Sequence, residues 1–254
     1  MRRPRARTAE RRALLAHEIA DGNGNIHDLA ERFGISPSTI RRDLAELQRL
    51  GQVTRTYGGA VGSSPRGELP LRDKERGRRA EKDAIARTAA ELVQAGETVL
   101  LDAGTTTGRL AWHLRDRTDL TVVVAGLNAL LTLAERPGIE LVVLGGRVRH
   151  PSEGIAGPFA QEQLRWIGPD RVFLGADGLT ANGLCTPSPE QAHLKHTMLH
   201  RGRHAYVLAD SAKLGTAPFA YWTPLDRDHC VITDAGAGEA DLAALSGEIV
   251  IAPD

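Results

Sequence analysis

The chain has little cysteine and little lysine. Its 254 residues contain only Cys185 and Cys230, so we expect neither a disulfide framework nor a cysteine-based metal site. Lysine occurs only at positions 74, 82, 195 and 213, against 28 arginines, which we interpret as the compositional bias of a GC-rich genome. Long apolar runs are also missing, and His17 and Glu18 interrupt the stretch 13–20 that follows the basic start. We therefore expect no secretory signal, no membrane span and a cytoplasmic protein.

The formal net charge of zero conceals an asymmetry along the chain. Residues 1–79 hold 17 Lys and Arg against 10 Asp and Glu, a balance of +7, whereas residues 80–254 hold 15 against 22, a balance of −7. A basic N-terminal part and an acidic C-terminal part are typical of a protein that binds phosphates through its N-terminal part only. Six of the first twelve residues are arginine, and either a DNA-contacting arm or a solubilising tail accounts for them.

Residues 36–44 have the pattern of a helix that reads DNA. Ser36 can cap the helix while Pro37 takes its first position, where a missing N–H costs nothing. Apolar residues recur at helical spacing on the opposite face. The exposed polar side chains expected to meet phosphates and base edges are Ser36, Ser38, Thr39, Arg41 and Arg42. Taken alone, the segment fits a capped surface helix equally well.

The flanking segments favour DNA binding. An amphipathic helix over 26–33 ends at Gly34, which can form the left-handed turn of a helix-turn-helix, and residues 8–20 predict a helix before it. After the reading helix, residues 51–60 contain a β-rich run that includes Arg55 and Tyr57 and ends in a glycine pair. We predict a winged helix-turn-helix over residues 1–60, an α+β unit that binds DNA through Arg55 and Tyr57 as well.

The remainder of the chain predicts a second domain. Residues 61–77 are rich in Gly, Pro, Ser and charge, which indicates a linker. From residue 78 to 254, β-type runs alternate with helical patterns, which predicts an α/β domain with a mainly parallel sheet. The strands are expected at 98–102, 120–125, 140–145, 171–176, 205–210, 230–233 and 249–252, and the helices at 79–94, 107–115, 129–135, 159–166, 190–200 and 239–245.

Polar residues follow these strands, at the edge where parallel sheets bind ligands. After the first strand, residues 102–107 place a carboxylate, a glycine and three threonines at the start of a helix, which suits a phosphate site. A helix simply capped by Thr105 or Thr106 explains the same residues. Further candidates for ligand contacts after these strands are Thr107, Asn128, Gly145, Gly146, Arg147, Asp177 and Lys213, with Lys195 as another cation that can neutralise an anionic ligand.

Three histidines occur at helical spacing, at positions 193, 196 and 200. A metal site needs further ligands, and the sequence places no carboxylate or cysteine beside them. We therefore predict a solvated or packed helix face and no metal.

The N-terminal residues resemble the DeoR-type bacterial transcriptional regulators. The resemblance lies in 29–36 (LAERFGIS), 39–44 (TIRRDL), Leu50-Gly51 and 58–60 (GGA). The family usually has histidine before the glycine pair, where this chain has Tyr57.

The second domain resembles the effector domain of the same family. The matching stretches are 102–106 (DAGTT), 144–146 (LGG), 173–178 (FLGADG), 183–186 (GLCT) with Glu190 and Lys195, and 210–213 (DSAK). The resemblance implies a fold related to ribose 5-phosphate isomerase and a phosphorylated sugar as effector. It also implies that Asp102, Gly104, Thr105 and Thr106 hold the phosphate end, and that Asp177, Glu190, Lys195 and Lys213 face or flank the sugar.

Two functions follow as hypotheses. The preferred one is a repressor of a carbohydrate operon that binds double-stranded operator DNA as a homodimer or homotetramer at the bacterial nucleoid, and that a phosphosugar releases. The alternative is a phosphosugar isomerase or deaminase fused to a DNA-binding module, with Asp102, Asp177, Glu190 and Lys195 as acid or base groups. Because no compact acid/base motif stands out, we expect a regulator that is not an enzyme and needs no cofactor.

Overall fold

The chain forms two compact units, Met1–Glu68 and Leu69–Asp254. The computed structural model describes Thr8 and residues 11–12, 14–15, 18–19, 25–49, 54–56, 59–61 and 68–253. Among these residues, no helix has the length and apolarity needed to cross a membrane.

The first unit contains the expected helix-turn-helix with its hairpin. The described residues between Thr8 and Ile19 are helical, followed by α1 (Ile26–Phe33) and α2 (Pro37–Arg49). Gly34 ends α1 in the left-handed region with φ of 62°, a conformation that glycine adopts without strain. The strands β1 (Thr54–Thr56) and β2 (Gly59–Val61) pair antiparallel, as a wing requires.

Apolar side chains from all three helical segments form the core of this unit: Leu15, Ile19, Ile26, Leu29, Ala30, Ile40, Leu44 and Leu47. Asp43 on α2 is buried beside this core and accepts hydrogen bonds of 2.8 Å from Nε of both Arg11 and Arg12. These two arginines therefore fasten the first helical segment to α2. The other four arginines of the basic start lie outside the described residues.

The strands of the second unit are β3 (Thr98–Leu101), β4 (Leu120–Val124), β5 (Ile139–Val143), β6 (Arg147–Arg149), β7 (Gly154–Ala156), β8 (Arg171–Gly175), β9 (Gly178–Thr180), β10 (Gly183–Thr186), β11 (His204–Leu208), β12 (Tyr221–Thr223), β13 (Cys230–Asp234) and β14 (Glu248–Ala252). Seven of them form a parallel sheet with the order β14-β13-β11-β8-β3-β4-β5. All seven predicted strands are confirmed as its members.

Helices cover both faces of the sheet, as its buried apolar strands require. The helices are α3 (Leu71–Arg76), α4 (Arg79–Glu91), α5 (Thr105–Leu114), α6 (Leu127–Leu133), α7 (Pro158–Leu164), α8 (Pro189–Arg201) and α9 (Glu239–Ala243). The core on one face joins the sheet to α4, α5 and α6, and the core on the other face joins it to α7 and α8. The predicted mainly parallel α/β domain is thereby confirmed.

The structure also contains elements that the sequence did not predict. The short hairpin β6–β7 and the three-stranded antiparallel sheet β12-β10-β9 lie outside the main sheet. Residues 71–76, expected within a linker over 61–77, form α3 in the second unit instead. Leu71 is buried and donates its N–H to the Pro151 carbonyl at 2.8 Å, so contacts with distant residues hold this six-residue helix in place.

Candidate functional site

The exposed start of α2 carries the residues predicted to bind DNA. The Ser36 hydroxyl accepts a hydrogen bond from the Thr39 N–H at 3.3 Å, which is the predicted cap, and Pro37 is the first helical residue. Ile40 and Leu44 are fully buried on the opposite face. The side chains that remain at the surface include Ser36, Ser38, Arg41 and Arg42, with Thr39 partly exposed.

The wing contributes backbone geometry to this surface. Arg55 pairs with Ala60 at the centre of the β1–β2 ladder. Its side chain and the whole of Tyr57 lie outside what the structure describes, so their predicted contacts with DNA stay predictions.

At the carboxyl ends of the parallel strands, the second unit concentrates charge. Asp102 directly follows β3 and is buried, and its carboxylate accepts hydrogen bonds from the Gly175 N–H at 3.0 Å and from Nζ of Lys195. Lys195 on α8 is equally buried and also donates to the Gly175 carbonyl at 2.8 Å. The structure thus brings together two predicted residues that are 93 positions apart.

The first turn of α5 presents backbone N–H groups beside this pair. Gly104 stands at the N-cap position, and within the described chain no side chain caps the helix, contrary to the simple capping role considered for Thr105 and Thr106. The Thr107 hydroxyl bonds back to the Gly104 carbonyl at 3.1 Å. The Thr106 hydroxyl is buried and has no hydrogen-bond partner among the described residues. Such a turn is suited to an anion, and Thr106 supplies an unused donor.

Asp177, after β8, forms an ion pair with Lys74 of α3, with Nζ and Oδ1 2.8 Å apart. Burial raises the pKa of the Asp177 carboxyl. The charge and hydrogen bond of Lys74, together with the charges of Lys213 and Lys195, lower that pKa by more than burial raises it. The pKa therefore lies below its ordinary value, and Asp177 is a carboxylate at neutral pH.

The next two strands of the sheet, β11 and β13, are also followed or ended by a buried aspartate each. Asp210 and Asp234 are both almost fully buried, and the guanidinium of Arg78 lies 3.2 Å from each. Lys213 lies 3.5 Å from Asp210. Arg78 joins α3 to α4 with a left-handed φ of 50°, a strained conformation for a residue with a side chain. Its ion pairs compensate for that strain.

All four lysines of the chain belong to this one region. Lys74, Lys195 and Lys213 pair with the carboxylates described above, and Lys82 donates to the carbonyls of Lys74 and Gly77 at 2.5 and 2.7 Å. Compositional bias explains why lysine is scarce, but it does not explain why the few lysines converge on this site. Lysine offers a compact charge on a flexible stem, which a planar guanidinium does not replace.

We name this group the strand-end charge cluster; its members are Lys74, Arg78, Lys82, Asp102, Asp177, Lys195, Asp210, Lys213 and Asp234. Burial, and then the positive charge of Lys213, lower the pKa of Lys82 from 10.5 to about 8. Sequence reasoning missed Lys74, Arg78, Lys82 and Asp234 as site residues.

Other predicted residues lie beside the cluster and have local partners. Asn128 uses both amide atoms, donating to the Gly104 carbonyl and accepting from the Ala129 N–H, each at 2.9 Å, so it positions the α5 turn. Arg147 and Glu190 are exposed and form an ion pair of 2.6 Å.

Gly145 donates its N–H to the Gln163 side chain at 2.5 Å. At Gly146, a Cβ atom would lie 2.6 Å from the Ala156 carbonyl. This pair of glycines borders an apolar groove with Phe159 and Trp166, and their predicted role as effector ligands stays a prediction.

A cleft of about 710 Å³ with both charged and apolar lining residues opens next to the first turn of α5. Thr105, Gly108 and Asn128 form one wall, and α4 and α5 contribute Arg79 and Arg109. Gly108 is needed there, since a Cβ atom would lie 2.1 Å from the Asn128 amide nitrogen. The cleft has the volume of a small-molecule site.

Comparison with known families agrees with this two-unit organisation. Residues 11–66 match the model described as "DeoR-like helix-turn-helix domain", and residues 78–235 match "DeoR C terminal sensor domain". A putative aga operon transcriptional repressor of Escherichia coli O157:H7 is 32% identical over 94% of this chain and 90% of that protein. A transcriptional regulator FruR of Bacillus subtilis is 35% identical over 90% and 92%.

The glycerol-3-phosphate regulon repressor of Escherichia coli K12 is 30% identical over 84% of this chain and 85% of its own length. Among solved structures, the sorbitol operon regulator SorC of Klebsiella pneumoniae is similar over 92% of this chain and 98% of that chain, with 13% identity and a TM-score of 0.41. Ribose 5-phosphate isomerase A of Methanocaldococcus jannaschii is similar over 52% of each chain, with 19% identity and a TM-score of 0.39.

These sequence relatives are named as regulators or repressors and not as enzymes. The chain accordingly belongs to the DeoR family of DNA-binding transcriptional regulators.

Proposed function

We propose that this protein is a repressor of a carbohydrate-metabolism operon and that a phosphorylated sugar or a related metabolite releases it from its operator. The observation that carries the effector half is the strand-end charge cluster beside an uncapped helix turn with an unpaired buried hydroxyl at Thr106. The names of the relatives, which include repressors of the aga operon and the glycerol-3-phosphate regulon, support the repressor half.

In this proposal the phosphate of the effector binds at the first turn of α5. Backbone N–H groups at a helix start carry partial positive charge and bind anions without a metal. The Thr106 hydroxyl supplies a further donor. The neighbouring cleft is lined by Arg79 and by Arg109, which pairs with Asp83 at 3.2 Å. The sugar hydroxyls then face Asp177 and Lys213, which are the expected partners of a polar, uncharged ring.

Operator binding is assigned to α2 and the wing. Arg41 and Arg42 contact DNA, with Ser36, Ser38 and Thr39 supporting them, and Arg55 of β1 and Tyr57 add further contacts. One short helix reads few base pairs, so two-fold pairing of these modules in a homodimer or homotetramer supplies a long enough site.

The coupling between effector and DNA is assigned to α3 and Arg78. Helix α3 begins three residues after the first unit ends at Glu68, and its Lys74 reaches Asp177. A ligand at the cluster competes for Lys74 and Arg78, and the strain at Arg78 favours a different arrangement once its ion pairs loosen. The ligand then binds best to one placement of α3 and Arg78, and the operator binds best to another. This difference in affinity between two arrangements is what allostery requires.

Fluorescence anisotropy with DNA from upstream of the protein's own operon tests this proposal. At fixed salt we expect specific binding, and one phosphosugar of a panel should weaken it by about 5–150-fold, whereas the matching sugar without phosphate should not. Sugars acting equally with and without phosphate would overturn the effector assignment. Failure to bind that DNA above the level of random DNA would overturn the repressor assignment for this operon.

Thr106→Val provides a matched variant, because it keeps the shape of the side chain and removes only the hydroxyl. We expect it to bind operator normally and to need more phosphosugar for release. An unchanged response would remove Thr106 from the phosphate site.

A further inference from the structure

His196 and His200 lie one turn apart on α8, and the structure brings Asp226 between them. Nε2 of His196 is 3.3 Å from Oδ2 of Asp226, and Nε2 of His200 is 2.8 Å from Oδ1. The two imidazole rings are tilted by 55° with their centroids 4.4 Å apart. The carboxylate that sequence reasoning found lacking beside these histidines is therefore present, supplied by the segment between β12 and β13.

The three side chains form a suitable donor set for a transition metal. One ligand atom from each can be chosen so that all three lie within 4.8 Å of one another. Neighbouring ligands of a tetrahedral zinc ion, with bonds of about 2.0–2.1 Å, are about 3.3 Å apart. The separations of 3.3 and 2.8 Å, each to a different oxygen of Asp226, are close to that spacing, and rotation of the side chains would turn one oxygen and both nitrogens toward a common ion.

Each imidazole contacts a different oxygen of the same carboxylate, so the three side chains converge on one point at the surface. A divalent cation binds two neutral imidazoles and the carboxylate at once. His193, one turn earlier, is already engaged through Nδ1 with Gln161 at 2.9 Å and lies outside the group.

We propose that His196, His200 and Asp226 form a surface site for a borderline-soft divalent metal such as Zn²⁺. Three protein ligands leave a fourth position for water. The side chains are each about 40–50% exposed, so the ion can enter directly from solvent. A bound ion would tie α8 to the segment before β13. Lys195 on α8 forms an ion pair with Asp102, so a metal ion that restrains α8 would also restrain this part of the strand-end charge cluster.

Cobalt binding tests the site in the full-length protein with any polyhistidine tag removed. Co²⁺ reports inner-sphere ligands through its visible absorption, and Zn²⁺ should displace it. We expect one Co²⁺ per chain with imidazole-type coordination, and a thermal unfolding midpoint that rises with Zn²⁺ and falls again with a chelator.

Three single substitutions, His196→Gln, His200→Gln and Asp226→Asn, should each weaken binding by about tenfold or more. His193→Gln, on the same helix, and His204→Gln, exposed on β11, serve as controls and should bind like the unchanged protein. Since all these residues lie at the surface, circular dichroism should show every variant folded. The proposal is wrong if the unchanged protein binds no Co²⁺ or Zn²⁺ at micromolar concentrations, or if a control loses the ion as fully as Asp226→Asn does.

Discussion

The ammonium of Lys74 lies 2.8 Å from the carboxylate of Asp177, although 103 residues separate them in the chain. Both side chains are largely shielded from solvent, with 23% and 22% exposed. Lys74 belongs to the first helix after the DNA-binding unit, and Asp177 follows the central strand β8. This ion pair therefore fastens the start of the sensor unit to its candidate effector site.

Lys74→Met should uncouple operator binding from the effector. The substitution keeps most of the side-chain volume and removes the charge, so Asp177 no longer holds α3 in the ligand-free state. We expect the ratio of operator dissociation constants with and without phosphosugar, normally about 5–150-fold, to fall toward one. Arg76→Met, an exposed change on the same helix, is the control. If both variants keep the full ratio, Lys74 does not transmit the signal.

Arg41→Ala combined with Arg42→Ala should abolish most specific operator binding. A bidentate arginine contact with a base contributes about 1–3 kcal/mol of discrimination, and removing an arginine that binds a phosphate lowers the salt slope by about one. Both effects are read from anisotropy titrations at several salt concentrations. Arg32→Ala removes a guanidinium that instead lies 2.7 Å from Glu18, and should leave binding nearly unchanged. Equal effects in both variants would remove the assignment of α2 as the reading helix.

The main sheet was predictable because its strands are short continuous apolar runs. Parallel strands covered on both faces have this pattern, and residues 120–124 (LTVVV) and 171–175 (RVFLG) illustrate it. The strand ends followed from the same periodicity, which brought Asp102 and Asp177 to one edge. Their partners did not follow, since pairing across 93 or 103 residues depends on tertiary geometry.

Helix α3 was not predictable for a related reason. Six residues cannot sustain a helix in water, and the segment offers only Leu71 as an apolar anchor. Its stability comes from burial of Leu71 and from the ion pair of Lys74, neither of which local sequence reveals. Lysine usage was the available signal: in a chain with 28 arginines, four lysines converge on one site.

Asp102 and Lys195 should show strong coupling in a double-mutant cycle. Asp102→Asn or Lys195→Met alone leaves a buried partner charge unpaired, which costs about 3–5 kcal/mol of unfolding free energy. The double variant should recover part of that stability, because no unpaired charge remains. Urea unfolding of the four proteins measures the cycle. Additive effects would mean that the two residues stabilise the sensor unit independently.

Lys82 should give stability a distinct dependence on alkaline pH. Its pKa is about 8 in the folded protein and 10.5 when exposed, so between these values the unfolded chain binds more protons at this position. The contribution of Lys82 to the free energy of unfolding should therefore rise with pH across that window, by on the order of 3 kcal/mol in total. Below pH 8 Lys82 is charged in the folded protein, so its desolvation lowers the free energy of unfolding by the full amount.

The alkaline trend of the whole protein includes an opposing group. Burial raises the pKa of the Cys230 thiol from 9.0 to about 11, so its contribution to stability falls as pH rises through the same region. Comparison with Lys82→Met separates the two, since only the difference between variant and unchanged protein reports Lys82. Chemical unfolding at several values from pH 7.5 to 10.5 should show the advantage of the variant shrinking as pH rises. A difference that stays constant would mean that Lys82 keeps an ordinary pKa and that its ammonium is not desolvated against α3.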